Sequence, residues 1–198
     1  AGVIDDGILL RQDWERFAHV FAPKVQGSWN LHTQTRGLTL DFFVLFSSIA
    51  SIWGTAGQSS YAAANAFLDS LAHARRVQGL PAQSINWGGW AEIGLAAKPD
   101  ITDRMTTQGI RAITPSAGVQ ALEQAMHQQA AQLTVLPVDW SIFLQQFPGG
   151  QIPPLLSAMT SLVNSHVDGK PSASGQSELR RRLEETAPYN RRRVLLTA

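Results

Sequence analysis

The stretch "DFFVLFSSIASIWGTAGQSSYAAANAFLDSLAHARRVQG", residues 41–79, decides the fold. Its first part, Asp41 to Ser48, is a continuous apolar run rich in aromatic and β-branched residues. That is the pattern of a strand buried on both faces, as in a parallel sheet. A glycine-rich turn follows, "GTAGQSS". Tyr61 to Gln78 then reads as a helix, stopped by Gly79 with Pro81 just beyond.

The flanks repeat the alternation. Ala82 to Trp90 reads as a second buried strand ending in a glycine loop, Ser116 to Gln129 as a helix with Ser116 as N-cap, and Leu133 to Trp140 as a final strand. Upstream, Asp13 to His32 is a helical stretch with an apolar stripe of Trp14, Phe17, Val20 and Phe21, which Pro23 should kink or break. Ala1 to Ile4 reads as the end of a buried strand running into a loop, and Glu92 to Gly109 as irregular or weakly helical. Strands alternating with helices imply an α/β fold with a mostly parallel sheet. No internal repeat interrupts that reading.

Composition narrows the chemistry. Hydrophobic residues make up 44% and charged residues only 16%, so the chain can bury a core and is not disordered overall. The absence of cysteine excludes thiolate catalysis, disulfides and cysteine zinc sites. It also permits a reducing compartment, and a cytoplasmic location is expected. The five histidines, His19, His32, His73, His127 and His166, show no metal-ligand spacing, so no metal is expected. No apolar run is long enough to span a membrane, and no Gly-x-Ser-x-Gly elbow marks a serine hydrolase. Six arginines and three glutamates lie after Gly175, but the interleaved acids and the helically spaced leucines favour an exposed helix over a nucleic-acid arm. The opening "AGVIDDG", without an initiating Met, reads as the middle of a protein.

Three residues of the opening stretch could share one site. Tyr61 would lie where the helix begins, and Asn65, four residues on, would share its face. Ser48 ends the preceding strand, where ligands bind in open α/β sheets. Two hydroxyls converging there would suit a carbonyl oxygen. A tyrosine hydroxyl titrates near pH 10 when unperturbed, so acid–base work at neutral pH calls for a nearby cation. Tyrosine-dependent oxidoreductases usually carry a lysine four residues after the tyrosine, the place of Asn65 here. Ahead of the tail, the lysines are Lys24 and Lys98. Spacing alone does not bring Lys24 to Tyr61.

The segments "AGVIDDGILL", "FAPKVQGSWNLH", "FVLFSSIASIWGTAGQSSYAAANAFLD" and "GLPAQSINWGGWAEIGLAA" resemble the carboxyl-terminal, catalytic half of a ketoreductase domain from a modular polyketide synthase, within the short-chain dehydrogenase/reductase superfamily. The resemblance covers about residues 1 to 140. It implies a Rossmann-like doubly wound sheet, incomplete at its N-terminus, because no G-x-G-x-x-G for the cofactor pyrophosphate occurs. It also implies that lysine and asparagine have exchanged places, so that Lys24 supplies the missing charge.

Further roles follow from the resemblance alone. Tyr61 would protonate the substrate oxygen, Ser48 would hydrogen-bond it, Lys24 would make Tyr61 a better acid and Asn65 would support the proton relay. NADPH would be the cofactor, held by Gly2, Lys24, Tyr61, Asn86, Trp87 and Gly88. The segment from Trp90 to Gly109 resembles the lid over the substrate. Asp5 and Asp6 in "IDD" resemble the mark of B-type ketoreductases, which form D-hydroxyls, whereas Trp53, eight residues before Tyr61, resembles the A-type mark. Ala56 and Ser60 replace the Pro and Asn common in B-type loops. The Asp pair is taken as the more discriminating sign, with Asp6, Trp53 and Trp90 assigned to substrate and stereocontrol. The bland alternatives are a turn or cap for the Asp pair and packing for Trp90. The expected organisation is a catalytic half over 1–148, a linker over 149–176 and, from Ser177, the start of an acyl carrier protein-like helical domain. Expected partners are a carrier protein bearing a β-ketoacyl group on phosphopantetheine, the missing half of the domain and other synthase domains. A non-catalytic half-domain and a stand-alone carbonyl reductase are the competing readings.

Overall fold

A computed structural model describes residues 2–92, 99–147, 149 and 151–161. The expected linker beyond 161 and the expected carrier-like start lie outside these residues. The chain divides into two units, Ala1–Val138 and Asp139–Ala198.

The first unit holds the sheet. Helix α1 (Trp14–Phe21) is capped by Asp13, whose side chain accepts from the Arg16 amide, and runs through a π-helical turn (Ala22–Gln26) into α2 (Gly27–Thr35). Pro23 therefore does not break the helix. Lacking an N–H and crowding the preceding turn, it sits where the helix widens instead. Strand β1 (Val44–Ser48) leads into the short α3 (Ala50–Trp53) and the long α4 (Ser59–Val77). Strand β2 (Gln83–Trp87), helices α5 (Pro99–Thr107) and α6 (Pro115–Met126) and strand β3 (Gln132–Val135) follow. The strands pair in parallel in the order β1-β2-β3. This is the parallel, Rossmann-like α/β architecture expected from the alternation.

Side-chain alternation along the strands builds two cores. On one face Leu45 packs with Leu68, Leu71 and Ala72 of α4. On the other, Ile85 and Trp87 pack with Ala125 of α6 and Ile113. Helix α4 closes at Gly79, whose φ of +73° suits glycine.

Several boundaries depart from expectation. β1 is not buried on both faces: it has one described neighbour, and Phe46 is 49% exposed. Residues 2–7 form no strand. The α6 cap is Thr114, not Ser116, because Pro115 is favoured at the first helical position. In the stretch expected to be irregular or weakly helical, α5 is a helix of nine residues. The last strand stops at Val135, where β2 ends, and Pro137 has no N–H with which to extend it.

In the second unit Asp139 caps a short helix, α7 (Trp140–Phe143), by accepting from the amides of Ser141 and Ile142.

Candidate active site

The first unit's site lies at the carboxyl end of β1 and the first turns of α4. The widened turn carries Lys24 inward, leaving it only 8% exposed. Its ammonium donates to the Phe46 carbonyl at 2.9 Å and stands 5.7 Å from the centre of the Tyr61 ring. Burial lowers the Lys24 pKa from 10.5 to about 8, against the opposing pull of Asp69. Lys24 is thus a cation held against Tyr61 although 37 positions separate the two in sequence.

Asn65 is fully buried, and its side-chain amide donates to the Tyr61 carbonyl at 2.8 Å, one helical turn back. Its Oδ1 has no hydrogen-bond partner among the described residues. Ser48 ends β1, and its hydroxyl accepts from the Ala50 amide at 3.2 Å, which fixes the entry into α3. Gly2 lies beside Lys24: a Cβ there would meet only Lys24 Cε, at 3.7 Å. The structure therefore brings Lys24, Tyr61, Asn65 and Gly2 together, with Ser48 on the strand that α4 covers.

The "IDD" loop is tied to the entrance of α4. The Gly7 amide donates to the Gly57 carbonyl at 2.8 Å, and Gln58 Nε2 lies 3.1 Å from both Asp6 carboxylate oxygens. Gly57 adopts a φ of +80°, which lets the turn close. The two aspartates differ in use. Asp5 pairs with the Arg16 guanidinium, whose hydrogen bond holds the Asp5 carboxyl below the ordinary aspartate value. Asp6 lies at the mouth of the turn before Tyr61.

The other assigned residues serve packing as well. Trp87 is buried between Phe46 and Trp90, with ring centroids at 5.5 and 5.0 Å. Gly88 lets β2 approach Leu136, which a Cβ would strike. Trp90 fills a notch at Gly118 of α6, where a Cβ would land on the indole. Asn86 is fully buried and donates into a cluster of Ser47, Ser51 and Asp69, while accepting from Gln132.

The chain is similar to known proteins along most of its length. Residues 1–92 match the KR domain family model. Polyketide synthase GfsA of Streptomyces halstedii is 39% identical over 99% of this chain and 3% of the synthase. The spectinabilin polyketide synthase system protein NorB of Streptomyces orinoci is 41% identical over 97% of this chain and 9% of that protein. A solved structure of A-type ketoreductases from a modular polyketide synthase superposes with a TM-score of 0.77 at 37% identity, over 83% of this chain and 35% of that one. The chain belongs to the polyketide synthase ketoreductase family.

The chain spans about a third of the solved ketoreductase and under a tenth of either synthase. No described helix is long and apolar enough to cross a membrane. Among the described residues no cluster of acids and histidines could hold a metal ion.

The residues present fit a nicotinamide cofactor at one edge of this ketoreductase site. Gly2 brings the backbone close to Lys24, and the Lys24 ammonium and Tyr61 hydroxyl are groups able to grip a ribose. The side chains of Asn86 and Trp87 are turned into packing, which leaves the backbone as what the end of β2 has to offer a ligand. Sequence reading passed over the cluster around Asp69, although Asn65, Leu68, Asp69 and Ala72 share one face at helical spacing. That spacing was the available signal.

Proposed function

We propose that this chain is the catalytic part of a ketoreductase that uses NADPH to reduce a β-ketoacyl thioester, carried on the phosphopantetheine of an acyl carrier protein, to the β-hydroxyacyl thioester. The observation that carries the reading is Lys24 buried against Tyr61, where a lysine four residues after the tyrosine would otherwise stand. When bound, the cofactor supplies the hydride to the carbonyl carbon. Tyr61 gives its hydroxyl proton to the carbonyl oxygen as negative charge develops there. Ser48 donates a hydrogen bond to the same oxygen. The Lys24 ammonium stabilises the tyrosinate left behind. The unpartnered Oδ1 of Asn65 is an acceptor for the relay that returns the proton. Other synthase domains and a cytoplasmic location belong to the same proposal.

The product assigned is the D-hydroxyl of B-type enzymes. Asp6 supports it, being tied through Gln58 to the entrance of α4. The A-type reading rests on Trp53, the last residue of α3, and on the likeness to a solved A-type structure.

The test is NADPH oxidation with a β-ketoacyl thioester, using the intact ketoreductase domain that carries this chain, with chiral analysis of the alcohol. Tyr61→Phe is expected to lower turnover by about 10²–10⁴-fold. Full turnover in that variant, or none in the wild type with NADPH bound, contradicts the reading. An L-hydroxyl product would move the stereochemical assignment to Trp53.

A further inference from the structure

Below the site, a buried anion organises both arms of the reductase. Asp69 of α4 is 7% exposed. Ser84 Oγ of β2 donates to its Oδ1 at 2.6 Å. Asn86 Nδ2 lies 3.0 and 2.9 Å from its two oxygens. Ser51 Oγ of α3, three residues after the end of β1, donates its one proton to Oδ2 at 2.6 Å, so a hydroxyl bridges the turn that follows Ser48 to Asp69 of α4. A second route runs from Asn86 to Ser47 Oγ at 3.0 Å and from Ser47 to the Asn65 carbonyl at 3.2 Å. Asn65 then reaches back to Tyr61. A carboxylate out of water is costly unless its oxygens are matched by donors, and here serine and asparagine supply them.

We propose that Asp69 is a positioning residue of this ketoreductase: its buried carboxylate, gripped by Ser51, Ser84 and Asn86, fixes the turn presenting Ser48 against the helical face presenting Tyr61 and Asn65. The proposal rests on the reductase reading above. Its charge has a second effect, because Asp69 opposes the loss of the Lys24 proton that burial promotes. Among the described residues, the titratable groups facing Lys24 are Asp69 and Tyr61, both on α4, while β1 offers it a backbone carbonyl.

The test compares Asp69→Asn and Ser51→Ala with the wild type in the intact ketoreductase domain. It reads turnover against pH and, separately, the Lys24 titration through a ¹³C label on the lysine ε-carbon. A displaced catalytic group costs on the order of 10²-fold in turnover, the loss expected of Asp69→Asn. Removing the anion makes the ammonium easier to deprotonate, so the Lys24 titration should move below about 8 and the alkaline fall in activity should move with it. Ser51→Ala keeps the anion but cuts the bridge, so turnover should fall while the Lys24 titration stays in place. If Asp69→Asn does not fold, Ser51→Ala decides the positioning claim. Unchanged turnover in Ser51→Ala, or an unmoved Lys24 titration in folded Asp69→Asn, overturns the proposal. A wild type that reduces no thioester sinks the reductase reading instead, and the Lys24 titration still reports the Asp69–Lys24 coupling.

Discussion

Two buried cations mark the two ends of α4, Lys24 packed against its first turns and Arg75 carried by its last, and they behave in opposite ways. Lys24 meets the first turns at Tyr61, and Arg75 lies near the far end, fully buried. Arg75 donates to the Pro81 carbonyl at 3.2 Å, contacts His32 Nδ1 at 3.1 Å and stacks over the Phe43 ring at 3.8 Å. Burial lowers the pKa of both. A guanidinium starts so high that it keeps its charge regardless, and so it can only hold structure together. An ammonium starts low enough that the same burial brings it to about 8, within reach of working pH. Residue type thus separates a structural cation from a chemical one.

The sharpest way to break that contrast is Arg75→Ala. It removes two charged hydrogen bonds and a stacked guanidinium, and the loss should be about 3 kcal/mol of stability, read from the urea midpoint. Turnover per folded molecule should be unchanged, since Arg75 touches none of the reacting groups. A smaller effect, away from both cations, is expected of Gly118→Ala. The added methyl meets the Trp90 indole, and overpacking of this kind costs about 1–3 kcal/mol, again with turnover per folded molecule as the check.

The smallest effect concerns His32, which is buried and faces a donor-only guanidinium, so its Nδ1 accepts and the ring is neutral. Desolvation, then Arg75 and Arg36, lower its pKa from 6.5. The unfolded chain therefore takes up the proton first as pH falls, and stability is present above about 6.5 and lost below it. Urea midpoints measured between neutral and mildly acidic pH should show that fall, and His32→Gln should flatten it.

Much of this was legible in the sequence. The apolar run at β1, the turn and the length of α4 announced a parallel α/β unit, and the segment resemblance pointed to Lys24 as partner of Tyr61. Other parts were not legible, for physical reasons. Phe46 belongs to an unbroken apolar run, and nothing local shows that its strand has one described neighbour. Gly118 looks like an ordinary helical glycine until Trp90, 28 positions earlier, is found lying against it. Arg75 looks like part of a basic helix end because its partners, His32 and Phe43, come from before and within the β1 region. Asp69 was the one legible feature overlooked, since its spacing from Asn65 already placed it on the buried face.

The most direct test of the central claim is Lys24→Met in the intact ketoreductase domain, with turnover and stability measured on the same protein. Removing the cation beside Tyr61 should lower turnover by about 10²–10⁴-fold. Stability at neutral pH should rise by about 2 kcal/mol, because a lysine whose pKa falls from 10.5 to about 8 on folding is a cost that methionine does not carry, less one lost hydrogen bond. That gain should fade as pH rises from about 8 towards 10.5, where the unfolded chain also loses the proton. A Lys24→Met enzyme that turns over like the wild type would contradict the claim that the catalytic charge resides at Lys24.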